Sequence, residues 1–334
     1  MDIDDWYDNN TFHYKQFSVK KLVRIKKKKN VGISLCFPTL NEEQTIGKIL
    51  SIVNKTIYEP GLVDEVIVID SNSSDNTADI VESAGFEVYQ HKDILHKYGS
   101  YEGKGDALWK SLSVLKGEII LWCDSDIVNF RPGFIYGLLG PLLLDERISY
   151  VKAFYRRPLK IDSSYMKSEG GRVTEILVRP IINLFYPKLS KIFQPLSGEY
   201  AGRRRVLEKI PFSTGYGVEI GMLIEIYERF GLETIAQVNV KRRVHRNKPL
   251  AELSKMSFGI MQAITRKLEY YKKIKVCIDL NKIYNQIEYL DKEFMIKPLK
   301  LEENERPPMS EIEEYNRNKK NIARRAGKDE VQII

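Results

Sequence analysis

A chain of 334 residues, 43% hydrophobic and 29% charged, carries enough apolar material for one sizeable core and too little for a membrane protein. No apolar run approaches the roughly 20 residues a spanning helix needs, and the acidic opening Met1-Asp2-Ile3-Asp4-Asp5-Trp6 lacks a signal-peptide apolar region, so a cytoplasmic protein is expected. The net charge of +8 admits nucleic acid, a membrane surface or a small anionic substrate as partner.

Residues 1–30 read as a polar leader with scattered aromatic residues (Trp6, Tyr7, Phe12, Tyr14, Phe17), expected to pack on the body as a short helix. Its basic run Lys26-Lys27-Lys28-Lys29 reads as a solvated linker. From 31 to 130, strand and helix patterns alternate. The segments 31–37, 65–69, 87–89 and 118–122 have strand length, while 42–53, 77–84 and 106–115 have helical spacing. This order predicts an α/β fold with a parallel, doubly wound, Rossmann-like sheet, in which ligands bind at the carboxyl ends of strands. Residues from about 131 to 250 mix a strand at 148–154, loops rich in Gly and Pro, a helix near 218–230 and a strand at 236–240. From 251 helical spacing dominates, and 276–334 read as a C-terminal helical extension. Cys36, Cys123 and Cys277 have no zinc spacing and read as reduced, buried thiols.

The sharpest chemical feature is Asp124-Ser125-Asp126, placed at the end of the apolar strand 118–123. Residues two apart on an extended segment point the same way. Both carboxylates can then converge on one hard cation, Mg2+ or Mn2+, which would bridge a pyrophosphate. The first strand ends in Pro38-Thr39-Leu40-Asn41-Glu42-Glu43, either a helix start or a loop that holds a nucleobase. The second ends in Asp70-Ser71-Asn72-Ser73-Ser74-Asp75-Asn76. There Asp70 and Ser71 read as ligands of a nucleoside, and Asp75 or Asn76 as the cap of the next helix. Gly103-Lys104-Gly105 precedes a helix, where the glycines would allow close backbone approach and Lys104 would reach a phosphate. Arginines at 156, 157, 172, 179, 203–205, 242, 243 and 246 lie beside Gly, Pro and strand-like segments, a placement suited to a pocket for phosphate and carboxylate.

These strand-end motifs resemble the GT-A glycosyltransferases. The second half narrows the resemblance. Segments 152–158, Gly170-Gly171-Arg172-Val173-Thr174-Glu175, 194–200, Gly215-Tyr216-Gly217-Val218-Glu219 and His245-Arg246-Asn247 resemble the glucosyl-3-phosphoglycerate synthase family, in consistent order from about 30 to 270. The resemblance implies a retaining GT-A enzyme with a nucleotide-sugar-binding part at 31–130 and an acceptor-binding part at 131–275. It implies UDP-glucose as donor (GDP-mannose in some relatives), 3-phospho-D-glycerate as acceptor and Mg2+ or Mn2+ as metal. Pro38, Thr39, Leu40, Glu42, Asp70, Ser71, Lys104, Asp124 and Ser125 would form the donor site. Asp126 and His245, with Asp124, would hold the metal. Gly171, Arg172, Val173, Thr174 and Asn247 would take the acceptor, while Tyr216, Glu219 and Arg243 would line the reaction centre. Family members often carry Arg where this chain has Lys248, which keeps the charge but not the bidentate geometry.

Read by themselves, these positions are compatible with such roles. A Gly-Gly-Arg-Val-Thr turn before a helix offers N–H groups, a hydroxyl and a guanidinium to an anion. A neutral imidazole at His245 can complete a carboxylate metal site. Glu219, near a helix start, suits the dipole and would also position a hydroxyl or the sugar. A homodimer is expected, with no membrane partner. The rival readings are a mannosyl-3-phosphoglycerate synthase, a polyprenyl-phosphate glycosyltransferase and a basic nucleic-acid-binding protein. Against the last, the aromatic residues form no RNA-binding motif.

Overall fold

The computed structural model describes residues 1–157, 159–161, 164–166, 171–244, 249–290 and 292–325. Its centre is an eight-stranded sheet. The strands, in chain order, are β1 (Thr11–His13), β2 (Ile33–Thr39), β3 (Glu65–Asp70), β4 (Glu87–Gln90), β5 (Ile119–Trp122), β6 (Tyr150–Arg156), β7 (Tyr200–Arg203) and β8 (Ile235–Arg242). Across the sheet they run β1-β8-β6-β7-β5-β2-β3-β4. All neighbouring pairs are parallel except those of β7, which is antiparallel to both β5 and β6.

The apolar runs follow from burial on both faces. Cys36, Ile67, Ile69, Ile120 and Trp122 face one core with the helices Lys104–Val114, Val218–Phe230 and Leu250–Tyr270. The alternating residues Leu35, Phe37, Val66, Val68, Ile119 and Leu121 face a second core with the helices Val19–Lys29, Ile46–Val53 and Gly133–Leu144. Such period-two division is what a strand imposes on a continuous apolar run. Cys36 and Cys123 are buried within these layers, whereas Cys277 is exposed. Among the described residues no helix is long and apolar enough to cross a membrane.

One expectation is extended by the structure and three need correction. The leader packs on the body with a short helix, Ile3–Asn10, as expected, but it also supplies β1, which pairs with β8. Trp6 and Phe17 are core, with Tyr7, Phe12 and Tyr14 packed against it, and the Trp6 indole donates to the Ile235 carbonyl at 2.8 Å. The lysine run is the last turn of the helix Val19–Lys29, where cations suit the dipole, and Lys26 pairs with Asp64 at 2.5 Å. The boundary at 130 does not divide the sheet, because β5 pairs with β7 from the second half. Finally, the tail is not wholly helical. The strand Ile283–Leu290 pairs antiparallel with Glu293–Lys300, before the helix Glu313–Arg325. Ile283, Tyr284, Ile287 and Tyr289 are β-formers by branching and aromaticity, and these side-chain types favour a pleated surface.

Candidate active site

The carboxyl ends of β2 and β3 lie side by side, with Thr39 in register with Asp70. Asp70 is 1% exposed and both its oxygens are engaged. Oδ1 accepts from the hydroxyls of Thr39 (2.9 Å) and Ser73 (2.6 Å), and Oδ2 from the Ser73 amide (2.9 Å) and Gln90 (3.2 Å). The Asp70 carboxylate therefore shapes the strand-end loops. Asp75 accepts the Thr77 amide at 3.0 Å and the Glu43 amide at 3.2 Å, so it ties one loop to the other as it starts the next helix. Leu40 is 55% exposed at the loop tip, and Glu42 and Ser71 are half-buried beside it.

β5 delivers Asp124, Ser125 and Asp126 next to these loops. Ser125 is buried, and its hydroxyl donates to the Pro38 carbonyl at 2.8 Å. Thr45 donates to the Ser125 carbonyl at 2.7 Å. The following loop is tied to the end of β8: Val128 donates to the Val244 carbonyl at 3.0 Å, and Val244 to Asn129 Oδ1 at 2.7 Å. That junction brings in buried Arg243, whose Nη2 lies 2.8 Å from Asp124 Oδ2 and 2.5 Å from Asp126 Oδ1. Its Nε lies 3.1 Å from Glu199, fully buried before β7.

Lys104 completes the network. Its Nζ is 2.5 Å from Asp124 Oδ1 and 2.7 Å from Glu219 Oε1, so it spans the strand-end aspartate and the first turn of the helix Val218–Phe230. The glycines beside it serve a purpose other than the expected one. A Cβ on Gly105 would sit 1.9 Å from the Ser213 carbonyl oxygen, and one on Gly103 2.6 Å from that of Thr214. They let the Lys104 helix abut the segment that leads to Glu219, and phosphate approach is not what requires them. Burial works against ionisation of Asp124, yet the charges of Lys104 and Arg243 hold it well below the usual carboxylate range. Burial likewise opposes the charge on Lys104, but Asp124 and Glu219 raise its pKa above the ordinary value. For Glu199 burial wins over Arg243 and the pKa is raised.

Behind this network lies Lys152 on β6, 1% exposed. It donates to the Ser197 carbonyl at 3.0 Å and stands 4.6 Å from the Tyr200 ring centre. Burial pulls its pKa down to about 7, against the pull of Glu219. The next residue, Gly198, abuts Asp124: a Cβ there would meet Oδ2 at 2.1 Å. Glu199 and Lys152 had no assigned role at the level of sequence. For Lys152 the signal was a charged residue inside an apolar and aromatic strand, and Glu199 directly precedes such a strand.

Gly171 has φ of +90°, a conformation glycine adopts without strain, and the chain turns helical at Arg172. Val173 and Thr174 are buried. Their side chains pack inward, so the Thr174 hydroxyl is not presented at the surface, and Arg172 is half-buried. Tyr216 is 41% exposed, two residues before the helix that carries Glu219. His245, Arg246, Asn247 and Lys248 lie outside the described residues. Two of the arginines read as pocket residues are instead structural staples. Arg203 donates to the carbonyls of Ile148, Leu142 and Asp145, and Arg204 to those of Gly117, Leu112 and Leu115.

The donor set fits a hard divalent cation. Asp124 and Asp126 already direct one oxygen each at a single cationic nitrogen, and carboxylate oxygens are the ligands such ions take. Among the described residues no cluster of three or more His, Cys, Asp or Glu side chains stands ready as a complete metal site. A further ligand must come from substrate, water or residues beyond those described.

A mostly parallel sheet with paired aspartates at the end of β5 and nucleoside-type loops beside them defines a glycosyltransferase of the GT-A type. Residues 34–215 match the family described as Glycosyl transferase family 2. The glucosyl-3-phosphoglycerate synthase of Petrotoga mobilis is 50% identical over 307 residues, covering 91% of this chain and 94% of that enzyme. The crystal structure of mannosyl-3-phosphoglycerate synthase from Rubrobacter xylanophilus superposes with a TM-score of 0.86 at 34% identity, covering 92% of this chain and 99% of that one. That of glucosyl-3-phosphoglycerate synthase from Mycobacterium tuberculosis, in complex with Mn2+, UDP-glucose and phosphoglyceric acid, superposes with a TM-score of 0.78 at 36% identity, covering 90% and 98%. The chain belongs to the glucosyl-3-phosphoglycerate synthase family within glycosyl transferase family 2.

Proposed function

We propose that this protein is a retaining hexosyltransferase that moves glucose from UDP-glucose to 3-phospho-D-glycerate, giving glucosyl-3-phosphoglycerate. The observation that carries the reading is the single network in which Lys104 links Asp124 to Glu219 while Arg243 links Asp124 to Asp126. It puts a metal-type carboxylate pair and a candidate reaction-centre carboxylate within one side chain of each other. The half-identical enzyme of Petrotoga mobilis bears the name of this activity, and the Mycobacterium tuberculosis enzyme crystallised with this donor and a phosphoglycerate.

The loops at 38–42 and 70–73, rigidified by Asp70 and Asp75, take the nucleoside. Asp124 and Asp126, with His245, hold Mn2+ or Mg2+, which supplies a counter-charge to the departing diphosphate. Arg243 aligns the two carboxylates and keeps Asp124 ionised. Lys104 does the same for Asp124 from the other side and orients Glu219, whose carboxylate positions the acceptor hydroxyl or the sugar. Tyr216 stands at the rim of the same centre. The N–H groups after Gly171, together with Arg172 and Asn247, bind the acceptor's anionic groups by charge-assisted hydrogen bonds. The reading places the activity in the cytoplasm, without nucleic-acid or membrane partner. The paired strands Ile283–Leu290 and Glu293–Lys300, with Ile287, Phe294 and Ile296 at least 69% exposed, are the face assigned to a second copy in a homodimer.

The test is a donor-by-acceptor panel with purified protein, with and without chelator, and the product anomer read by NMR. An α-linked glucosyl-3-phosphoglycerate that disappears with chelator is expected; no transfer from UDP-glucose to 3-phosphoglycerate sinks the reading. The superposition on the mannosyl enzyme favours GDP-mannose as the second donor to assay, and preference for it would reassign the sugar but not the acceptor.

A further inference from the structure

We infer that Glu303, in the C-terminal segment, is a positioning residue for this transfer: it clamps the Gly215-Tyr216-Gly217 turn that presents Tyr216 and Glu219. The inference rests on the role given to Glu219 above.

Glu303 is 4% exposed, an unusual setting for a carboxylate. Its Oε1 accepts the Gly215 amide at 2.6 Å, and Gly217 packs close against the same carboxylate. The cradle around it is built from glycines. A Cβ on Gly215 would lie 2.7 Å from Oε2, one on Gly259 3.0 Å from Oε2, and one on Gly217 3.3 Å from Cδ. No larger residue at 215 leaves the carboxylate in place. The segment that carries Glu303 is itself pinned. Its amide donates to Gln262 at 2.8 Å, and Asn304 exchanges hydrogen bonds with Thr214, 2.9 Å from the Thr214 amide and 3.1 Å to its hydroxyl.

The clamped turn has the Lys104 helix on its other side. The Asp106 amide donates to the Thr214 carbonyl at 2.9 Å, and Gly103 packs against Thr214 and Gly215. The turn is therefore held between Lys104's helix and Glu303, and it feeds directly into the first turn that carries Glu219. Its amides also stand at the amino end of a 13-residue helix, where unpaired N–H groups and the dipole favour an anion. Burial pushes the Glu303 pKa up to about 7, with the Gly215 and Gly217 amides and Arg266 drawing it back and Glu219 adding to the rise. A carboxylate kept in such a place at that cost is consistent with a positional task, since an apolar side chain would leave the turn amides unmet.

The experiment compares wild type, Glu303→Gln and Gly259→Ala in the full chain. Three readouts are taken: steady-state kinetics for both substrates, UDP binding with Mn2+ by calorimetry, and hydrogen exchange of the 213–221 peptide. E303Q removes the charge and one of the two acceptor oxygens beside the Gly215 amide. Exchange of that peptide should rise about tenfold while the central strands stay protected. The kcat should fall by about 30-fold, with the donor KM and UDP affinity within about threefold of wild type. G259A, which crowds Oε2 while keeping the charge, should shift exchange and kcat in the same direction by about threefold. Unchanged exchange in E303Q overturns the clamp, and so does a fall in UDP affinity as large as the fall in kcat. If E303Q does not fold, G259A decides, and its unaltered kcat and exchange overturn the inference. A wild type that binds UDP but does not glucosylate 3-phosphoglycerate defeats the function reading; the exchange comparison then still upholds or overturns the clamp.

Discussion

Arg243 stands between the two aspartates of the strand-end motif, with one nitrogen 2.8 Å from Asp124 and 2.5 Å from Asp126. The two aspartates are nonetheless unequal. Asp124 also meets Lys104 at 2.5 Å, so it balances two cations, whereas Asp126 balances one that Glu199 also serves.

Asp126→Ala should therefore abolish metal-dependent transfer, by at least about 100-fold in kcat/KM, with little change in melting temperature. Asp124→Ala should lose activity and also about 1–3 kcal/mol of stability, because it takes one carboxylate from two cations at once and leaves Lys104 with Glu219 alone and Arg243 with Asp126 and Glu199. Chemical denaturation beside initial rates separates the two, and equal destabilisation by both substitutions would contradict the asymmetry.

Gly105→Ala tests the close approach behind Lys104. Its methyl would fall 1.9 Å from the Ser213 oxygen and 2.9 Å from Val218. Backbone must move, so a loss of about 3 kcal/mol is expected, together with reduced kcat as Lys104 and Glu219 separate. Gly61→Ala is a control with φ of +79° and nothing within 4 Å; it should cost only about 1–2 kcal/mol and leave kcat unaltered.

Arg172→Ala should raise the KM for 3-phosphoglycerate by about 10- to 100-fold, the loss of charge-assisted hydrogen bonds of about 1.5–3 kcal/mol. The donor KM should stay put. Arg172→Lys should recover part of the affinity, since it restores the charge without the planar fork. An acceptor KM that does not change in R172A would remove this residue from the acceptor site.

Lys152 makes a pH-dependent prediction. Burial lowers its folded-state pKa to about 7 from an ordinary 10.5. Between those values the unfolded chain holds the proton that the folded chain has released. Stability from this group therefore rises as pH climbs from 7 towards 10, by up to about 1.4 kcal/mol per pH unit. Lys152→Met lacks that slope. The gap between the two proteins in denaturant titrations should widen in favour of wild type over this window, and parallel curves would refute the neutral-lysine account.

Much of the sheet was legible because its information is local. An apolar run of strand length before a polar loop, repeated with helical spacing between, specifies β2 to β5 and their carboxyl ends. The pair Asp124 and Asp126 was legible for the same reason, since alternation along an extended chain puts both on one side. The amphipathic pattern of 218–230 likewise placed Glu219 in a first helical turn, where the structure has it.

What the chain alone did not disclose depends on contacts between distant residues. Lys104 and Glu219 are 115 positions apart, and Arg243 and Asp126 are 117. No periodicity spans such distances. The same holds for β7, whose antiparallel insertion between β5 and β6 places Glu199 against Arg243, and for β1, which joins the leader to the far edge of the sheet. The tail misled because its alternating β-branched and aromatic residues also satisfied loose helical spacing. The sequence by itself determined which residues end the strands and therefore what chemistry is available. Only tertiary structure decided which of those groups share a proton, a charge or a hydrogen bond. Such pairings are set by how the sheet orders its strands, and burial then makes each pairing obligatory because a lone charge there has no water to turn to.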